Sequence, residues 1–261
     1  MVNVMKSNNL GEFEEKNNYQ TLLLDRTIVS INYISRTVTV GKEYDMVMKY
    51  VKFLITKYEK LKRKRAAIFL EPQLDTGYPD IVVVEFNSMP KREWNSYRKK
   101  LTVSDFKILF FVQVNKSITL DDICNKLGFS VEEIQKTVSK LEKCKLLHVS
   151  TKGKCVKSVP LKSYCRISKI ISIEAKIDKW KEAIRQAENN IWFSTESYIL
   201  LNKDSCSIDI RHTCQNMGIG IILVNGKIDT VLRSDCRKFP VSYASLLFND
   251  WILRYLNREE K

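Results

Sequence analysis

Three residues in two separate segments of the sequence have side chains that could hydrolyse a phosphodiester bond with the help of a metal ion. Glu174 and Lys176 lie two positions apart in the strand-like alternation of residues 170–176, so a carboxylate and an ammonium project from one face of the predicted strand. Asp80 precedes the apolar run 81–84, which places a second carboxylate at the mouth of a buried strand. Hard divalent cations prefer carboxylate oxygens, and a bound cation can activate water and stabilise charge on a phosphate.

The elements that would position Glu174 and Lys176 alternate between strand and helix. Apolar residues recur at helical spacing over residues 180–191, and residues 198–201 again have the pattern of a strand. Asn225-Gly226 between two apolar runs predicts a β-hairpin over residues 221–232. The alternation predicts an α/β fold for this half of the chain.

A comparable series of elements precedes Asp80. Apolar residues at helical spacing predict an amphipathic helix over residues 43–62, and this helix ends in a cluster of Lys and Arg. A strand at 66–70 and a turn at Gly77-Tyr78 then lead to Asp80. Both halves of the chain therefore contribute acidic residues at the edge of a predicted strand.

The pair Pro79-Asp80 followed by Glu174-x-Lys176 resembles the PD-(D/E)XK nuclease superfamily. The helix after the second motif carries Gln186, where similar nucleases place a Gln. The resemblance implies a restriction-endonuclease-like core, in which a mixed β-sheet is flanked by helices. It also implies a metal-dependent DNA endonuclease that hydrolyses phosphodiester bonds.

The resemblance assigns a role to each of these residues. Asp80, Glu174 and the carbonyl of Ala175 would bind Mg²⁺, for which Mn²⁺ would substitute. Lys176 would position or activate the attacking water and stabilise the charged transition state, and Gln186 would support the site from the helix. Additional acidic residues are expected at two positions, Glu43 and Glu71.

Ordinary structural roles for the same residues stay open. Glu174 and Lys176 could form an ordinary ion pair that faces solvent, which would add little to stability. Glu43 could be an ordinary acidic residue in the first turn of a helix. The combination of the motifs, and not any one of them, favours the nuclease.

The 94 positions between Asp80 and Glu174 exceed what such a core needs, so we expect an inserted domain. Helical patterns cover residues 103–114, 119–127 and a segment from Val131, and a β-ribbon is predicted around the turn Lys152-Gly153-Lys154. This order resembles a winged helix-turn-helix domain. The expected division of the chain is residues 1–100 for the first half of the nuclease core, 101–160 for the winged helix, and 161–261 for the second half with a terminal helix.

The winged-helix resemblance implies that the helix from Val131 enters the major groove of double-stranded DNA while the ribbon contacts phosphates. The side chains expected to contact DNA are Gln135, Lys136, Ser139, Lys140, Lys152 and Lys154. Glu132 and Glu133 at the start of this helix would repel phosphate. Docking of a protein is therefore an alternative role for the segment.

The composition favours a polyanionic partner. Lys and Arg total 44 against 30 Asp and Glu, which gives a formal net charge of +14. The seven cysteines form no CxxC pair, no secretory signal is recognisable, and no apolar run has the length of a membrane span. We therefore expect a cytoplasmic protein without membrane association.

Two alternatives to the nuclease remain open at this point. The chain could be a DNA-binding regulator or scaffold with an inactive nuclease-like core, or a protein that binds or cleaves RNA. The apolar helix predicted over residues 240–257 either packs on the core or pairs with another chain, as a homodimer or with a protein partner.

Overall fold

The computed structural model of the protein describes residues 21–25, 31, 33–36, 40–61, 64–88, 94–150 and 154–258. Within these residues, seven strands form one mixed sheet in the order β1-β2-β3-β7-β8-β9-β10. Its strands are β1 (Thr21–Leu24), β2 (Arg65–Leu70), β3 (Ile81–Phe86), β7 (Ile167–Lys176), β8 (Glu196–Leu201), β9 (Gly220–Asn225) and β10 (Lys227–Leu232). The predicted α/β class and the predicted hairpin, β9–β10, are both confirmed.

The central pair of strands joins the two halves of the sequence. Strand β3 runs antiparallel to β7, and the register pairs Ile81 with Ile173. Because β3 begins where β7 ends, Asp80 and Glu174 come to the same edge of the sheet. The side chains of residues 81–84 are buried, as expected for a strand that is covered on both faces.

Helices cover both faces of the sheet. On one face, α1 (Lys42–Lys60) contributes Val51 and Leu54 to an apolar cluster with Ile173 and Ala175 of β7. On the other face, α5 (Trp180–Asn189) and α6 (Ile208–Met217) pack on β8 and β9. The alternation along β7 thus separates the environment of Ala175 from that of Glu174.

A second, three-stranded sheet lies in the segment between β3 and β7. The segment contains α2 (Val103–Asn115), β4 (Ser117–Thr119), α3 (Leu120–Leu127), α4 (Val131–Lys143), β5 (Leu147–Val149) and β6 (Cys155–Ser158), with strand order β4-β6-β5. Strand β4 was not predicted, and it overlaps the helix predicted over residues 119–127 only at Thr119. Thr119 ends this strand and caps α3, because its hydroxyl accepts a hydrogen bond from the Asp122 amide.

The C-terminal helix α7 (Tyr243–Leu256) lies inside the protein, and residues 243–255 are all buried. Phe248 and Trp251 pack on Phe69 of β2, and the same apolar cluster continues into α2 through Phe106. Of the two roles expected for this helix, packing on the core is correct. The expectation that it pairs with a second chain is wrong, because its apolar side chains are already covered within the chain.

A buried charge network ties α7 to the segment before α2. Asp250 accepts hydrogen bonds from Arg98 Nε at 2.9 Å and from Arg254 Nε at 2.5 Å. Arg254 also donates to the carbonyls of Arg98 and Leu101. All three charged side chains are buried, so their charges are compensated by one another and by backbone oxygens.

Among the described helices, none combines the length and the apolar character needed to cross a membrane.

Candidate active site

The acidic residues of the two motifs meet at the edge of the sheet where β3 begins and β7 ends. Asp80 Oδ2 accepts a hydrogen bond of 2.7 Å from the backbone amide of Ala175, the residue after Glu174. Asp80 also contributes to the raised pKa of Glu174, so the two carboxyl groups lie close together. Residues separated by 94 positions in the sequence thus form one pair of carboxyl groups.

Burial makes the negative charge of this pair costly. Loss of hydration raises the pKa of Asp80, although the hydrogen bond from Ala175 and the charge of Lys176 oppose the shift. The pKa of Glu174 is raised well above its ordinary value by the same loss of hydration and then by the charge of Asp80. The two carboxylates therefore favour a bound proton or a cation over two unscreened charges.

Asn190 is a member of the site that the sequence analysis did not identify. Its Nδ2 donates a hydrogen bond of 2.6 Å to Glu174 Oε1, and its side chain is buried. Asn190 ends α5 as the C-terminal cap, so the helix and the carboxylate hold each other in place. An Asn near the end of the predicted helix, one turn beyond Gln186, is the signal that could have suggested it.

Lys176 and Glu174 do not form the ordinary solvent-facing ion pair that was the alternative to a catalytic role. Glu174 is only 4% exposed. Lys176 Nζ instead lies 3.4 Å from Glu43 Oε2 on α1 and donates to the carbonyl of Ala175 at 3.1 Å. The ammonium thus stands between an acidic residue of the helix and the backbone that carries the motif.

Three of the acidic residues, Glu43, Glu71 and Asp80, line a small cavity of about 50 Å³, which Glu174 does not line. Side chains with polar atoms line it from four segments of the chain: Arg36, Glu43, Tyr44, Glu71, Asp80 and Lys176. Glu71 has a positive φ of 49° and forms an ion pair of 3.5 Å with Arg36. A strained non-glycine residue beside clustered charges is typical of functional sites. The structure therefore brings both additional acidic residues, Glu43 and Glu71, to the site.

Gln186 lies on α5 one helical turn before Asn190. Its Oε1 is buried and accepts no hydrogen bond from the described residues. A buried acceptor without a partner is costly, so its presence here requires a functional or structural reason. The supporting role expected for Gln186 stays a prediction.

The composition of the site suits a hard divalent cation. Its donors are the carboxylates of Asp80 and Glu174 and the carbonyl of Ala175, which are oxygen atoms of the kind that Mg²⁺ prefers. Glu43 and Glu71 add negative charge near Asp80. A cluster of three or more His, Cys, Asp or Glu side chains suited to a metal does not occur in the described ranges, so backbone oxygen and water would have to complete the coordination.

The residues expected to contact DNA differ in their surroundings. Gln135, Lys136 and Ser139 are exposed on α4, and Lys154 is exposed at the start of the β-ribbon. Lys152 lies outside the described residues.

Lys140, another residue expected to contact DNA, makes an ion pair within the protein. Its Nζ lies 2.7 Å from Oδ2 of Asp105, which is buried on α2 and also accepts a hydrogen bond from Thr137. The buried carboxylate needs this cation, so Lys140 holds α4 on α2.

No protein-family model matches the sequence, and no curated protein matches it significantly.

Proposed function

We propose that this chain is a metal-dependent DNA endonuclease that hydrolyses phosphodiester bonds at the edge of the seven-stranded sheet. The observation that carries the proposal is the pairing of the half-buried Asp80 with the buried Glu174, two carboxyl groups that come from motifs 94 positions apart. Lys176 and Glu43 lie at the same edge. A mixed sheet with helices on both faces is also what a restriction-endonuclease-like core requires.

In this proposal Asp80, Glu174 and the carbonyl of Ala175 hold Mg²⁺. The bound cation would neutralise charge on the scissile phosphate and make a water molecule a better nucleophile. Asn190 and the Ala175 amide orient the two carboxylates through hydrogen bonds of 2.6 and 2.7 Å. Asp80 lines the small cavity, from which water reaches this carboxyl group.

Lys176 supplies the positive charge of the site. Glu43 and the Ala175 carbonyl hold its ammonium group on the side of the cavity that Asp80 also lines. An ammonium in that place stabilises the negative charge that develops on the phosphate oxygens during attack. Glu43 holds the Lys176 ammonium in position.

The segment from α2 to β6 would place the catalytic edge on double-stranded DNA as a winged helix. Its order of helix, strand, helix, helix, strand, strand supports this part of the proposal. The exposed face of α4, with Gln135, Lys136 and Ser139, would enter the major groove. Lys154 at the ribbon would contact a phosphate.

The test is a cleavage assay on supercoiled, linear and branched DNA, with a single-stranded RNA as a further substrate. We expect Mg²⁺ or Mn²⁺ to support cleavage of DNA and EDTA to abolish it. The variants Asp80→Asn and Glu174→Gln should lose cleavage and retain DNA binding. Glu188→Gln changes an exposed glutamate of α5 in the same way and should remain active.

The outcomes separate the competing functions. Full activity of both site variants would place the chemistry elsewhere. DNA binding without cleavage under any metal would favour a regulator or scaffold. Preferential cleavage of the RNA would change the substrate class and leave the assignment of the site intact.

A further inference from the structure

A second and larger opening lies on the face of the sheet that α1 covers. It is a groove of about 360 Å³ between the C-terminal half of α1 and strands β7 to β10. This volume falls in the range of roughly 300–1,000 Å³ that small-molecule sites occupy. The side chains of Glu43 and Lys176 line the smaller cavity near the start of α1 and do not line the groove.

The base of the groove is apolar and aromatic. Val83, Ile171 and Ile222 contribute aliphatic side chains from three strands. Tyr58 lines it from α1, and Tyr198 lines it from β8. The Tyr198 ring rests against β9 at Gly220, where an added Cβ atom would lie 2.2 Å from the ring. The absence of a side chain at Gly220 thus leaves the Tyr198 ring flat on the sheet, as one wall of the groove.

Basic side chains at the rim exceed the acidic ones. Lys64 pairs with Glu85 at 2.8 Å, and Lys169 pairs with Glu196, so both carboxylates are already neutralised. Lys57 and Arg233 also line the groove. Neither of these two cations forms an ion pair within the described part of the chain. The groove therefore has a surplus of positive charge that suits an anion.

Tyr50 gives the groove a hydrogen-bonding group without a partner. Tyr58 donates its hydroxyl to Glu85, and Tyr198 donates to Glu196. Tyr50 is 5% exposed and lines the groove, yet its hydroxyl makes no hydrogen bond with any residue that the structure describes. Its hydroxyl is not among the fully buried atoms that lack a partner, so it is accessible from the groove and can bond to a ligand.

We propose that this groove binds a nucleotide, with the base over the aromatic and aliphatic floor and the phosphate at Lys57 and Arg233. Flat aromatic rings that stack on bases, combined with cations that bind phosphate, are the features by which proteins hold single nucleotides and nucleic-acid strands. The Tyr50 hydroxyl bonds to the base or the sugar. Two sources supply this chemistry, a free mononucleotide and a nucleotide of a single strand.

The groove and the candidate active site share α1. Glu43 lies in the first turn of this helix, whereas Tyr50 and Tyr58 lie two and four turns further along it. A ligand that shifts α1 would therefore move the acidic partner of Lys176.

Binding is tested in EDTA, so that metal at Asp80 and Glu174 plays no part. The probes are AMP, GMP, CMP, UMP, inorganic phosphate and an eight-residue single-stranded DNA, and the measurement is isothermal titration calorimetry. Thr230 is exposed and lines the groove, so Thr230→Trp fills the groove without disturbing buried residues. Arg233→Ala removes a cation, and Tyr50→Phe removes only the hydroxyl.

We expect at least one mononucleotide to bind more tightly than phosphate does. Thr230→Trp and Arg233→Ala should each weaken this binding about tenfold or more, and Tyr50→Phe should weaken it less. Arg185→Ala removes an exposed arginine from α5 on the opposite face and should leave the affinity unchanged. Tighter binding of the single strand, lost in Thr230→Trp, would identify a strand as the source. Equal binding of strand and mononucleotide would identify the free nucleotide.

The proposal is overturned if no nucleotide or strand binds, or if Thr230→Trp and Arg233→Ala bind as the unaltered protein does. Circular dichroism of each variant shows whether it is folded. Because the titrations contain no divalent metal, their failure would leave the cleavage result untouched, and inactive DNA cleavage would leave the groove result untouched.

Discussion

Asn190 Nδ2 donates a 2.6 Å hydrogen bond to Glu174 Oε1, and both side chains are buried. The amide belongs to the residue that ends α5, whereas the carboxylate belongs to β7. A carboxylate with a fixed partner keeps one oxygen engaged and presents the other to its surroundings. The end of α5 therefore sets the orientation of a proposed metal ligand.

The first prediction concerns Asn190→Ala. Loss of this partner of a metal ligand should lower cleavage about 10- to 100-fold, because such partners hold ligands in productive orientations. Steady-state kinetics over a range of Mg²⁺ concentrations should show a higher Mg²⁺ requirement, with DNA affinity little changed. Asn189→Ala alters the exposed neighbouring residue and serves as the control. Equal rates for the two variants would remove Asn190 from the site.

The second prediction concerns the stability of the metal-free protein. The folded-state pKa of both Asp80 and Glu174 lies above the ordinary value, so the folded chain binds more protons than the unfolded chain does. The contribution of this pair to the free energy of unfolding therefore falls as pH rises from about 4 towards the raised pKa values. Glu174→Gln should gain in Tm relative to the unaltered protein as pH rises through that window. A difference in Tm that is independent of pH would contradict the prediction.

The third prediction is that Mg²⁺ raises the Tm of the unaltered protein, and raises it more at pH 8 than at pH 5. Protons and cations compete for the same two carboxylates, so the cation binds better when the pair is ionised. Differential scanning fluorimetry with MgCl₂ measures the effect, and KCl at the same ionic strength is the control. Glu174→Gln should lose the response. A response that persists in Glu174→Gln and Asp80→Asn would show that the cation binds elsewhere.

The fourth prediction separates two kinds of lysine in the proposed DNA-binding segment. The double variant Lys136→Ala and Lys154→Ala should flatten the slope of log affinity against log salt by about 1.8, since each lost phosphate contact removes about 0.9 on duplex DNA. Lys140→Ala should instead destabilise the protein, by about 1–3 kcal/mol, because the buried Asp105 loses its cation. Salt titrations and urea unfolding measure the two effects. A salt slope that the double variant leaves unaltered would indicate that this segment docks on protein.

The fifth prediction concerns the buried charge network. Asp250→Ala leaves Arg98 and Arg254 buried without their carboxylate, and should lower the free energy of unfolding by about 3–5 kcal/mol. Asp229→Ala removes an exposed aspartate from β10 and should change stability by less than about 0.5 kcal/mol. Urea unfolding of both variants is the measurement. A small loss for Asp250→Ala would mean that water enters and solvates the arginines.

Much of the sheet could be predicted because its strands and helices have clear periodicities. The helix predicted over residues 43–62 is α1, and the helix predicted after Lys176 is α5. Strand β4 was not predicted, since three residues are too few for a period to emerge, and its pairing with β6 spans 40 positions. The spacing of apolar residues thus identifies a helix or strand only when its buried face is visible in its own sequence.

The contacts among the residues of the candidate site were harder to predict from the sequence than the identity of those residues. The motifs identified Asp80, Glu174 and Lys176, but the partner of Lys176 is Glu43, which is 133 positions away. Likewise, Lys140 belongs to the polar side of α4 by periodicity, and only the packing of α4 on α2 brings it to Asp105. An aspartate inside the otherwise apolar pattern of α2 was the available signal, because such a residue needs a cation or several donors. Contacts between the side chains of two packed elements cannot be predicted from the sequence pattern of either element alone.

The network of Arg98, Asp250 and Arg254 also determines when the protein can fold during its synthesis. Arg98 is added to the chain 152 residues before Asp250, and an arginine without a counterion remains hydrated. The aromatic side chains of α7 that cover Phe69 arrive equally late. The segment before α2 therefore stays open in the nascent chain, and the core closes only after α7 has emerged.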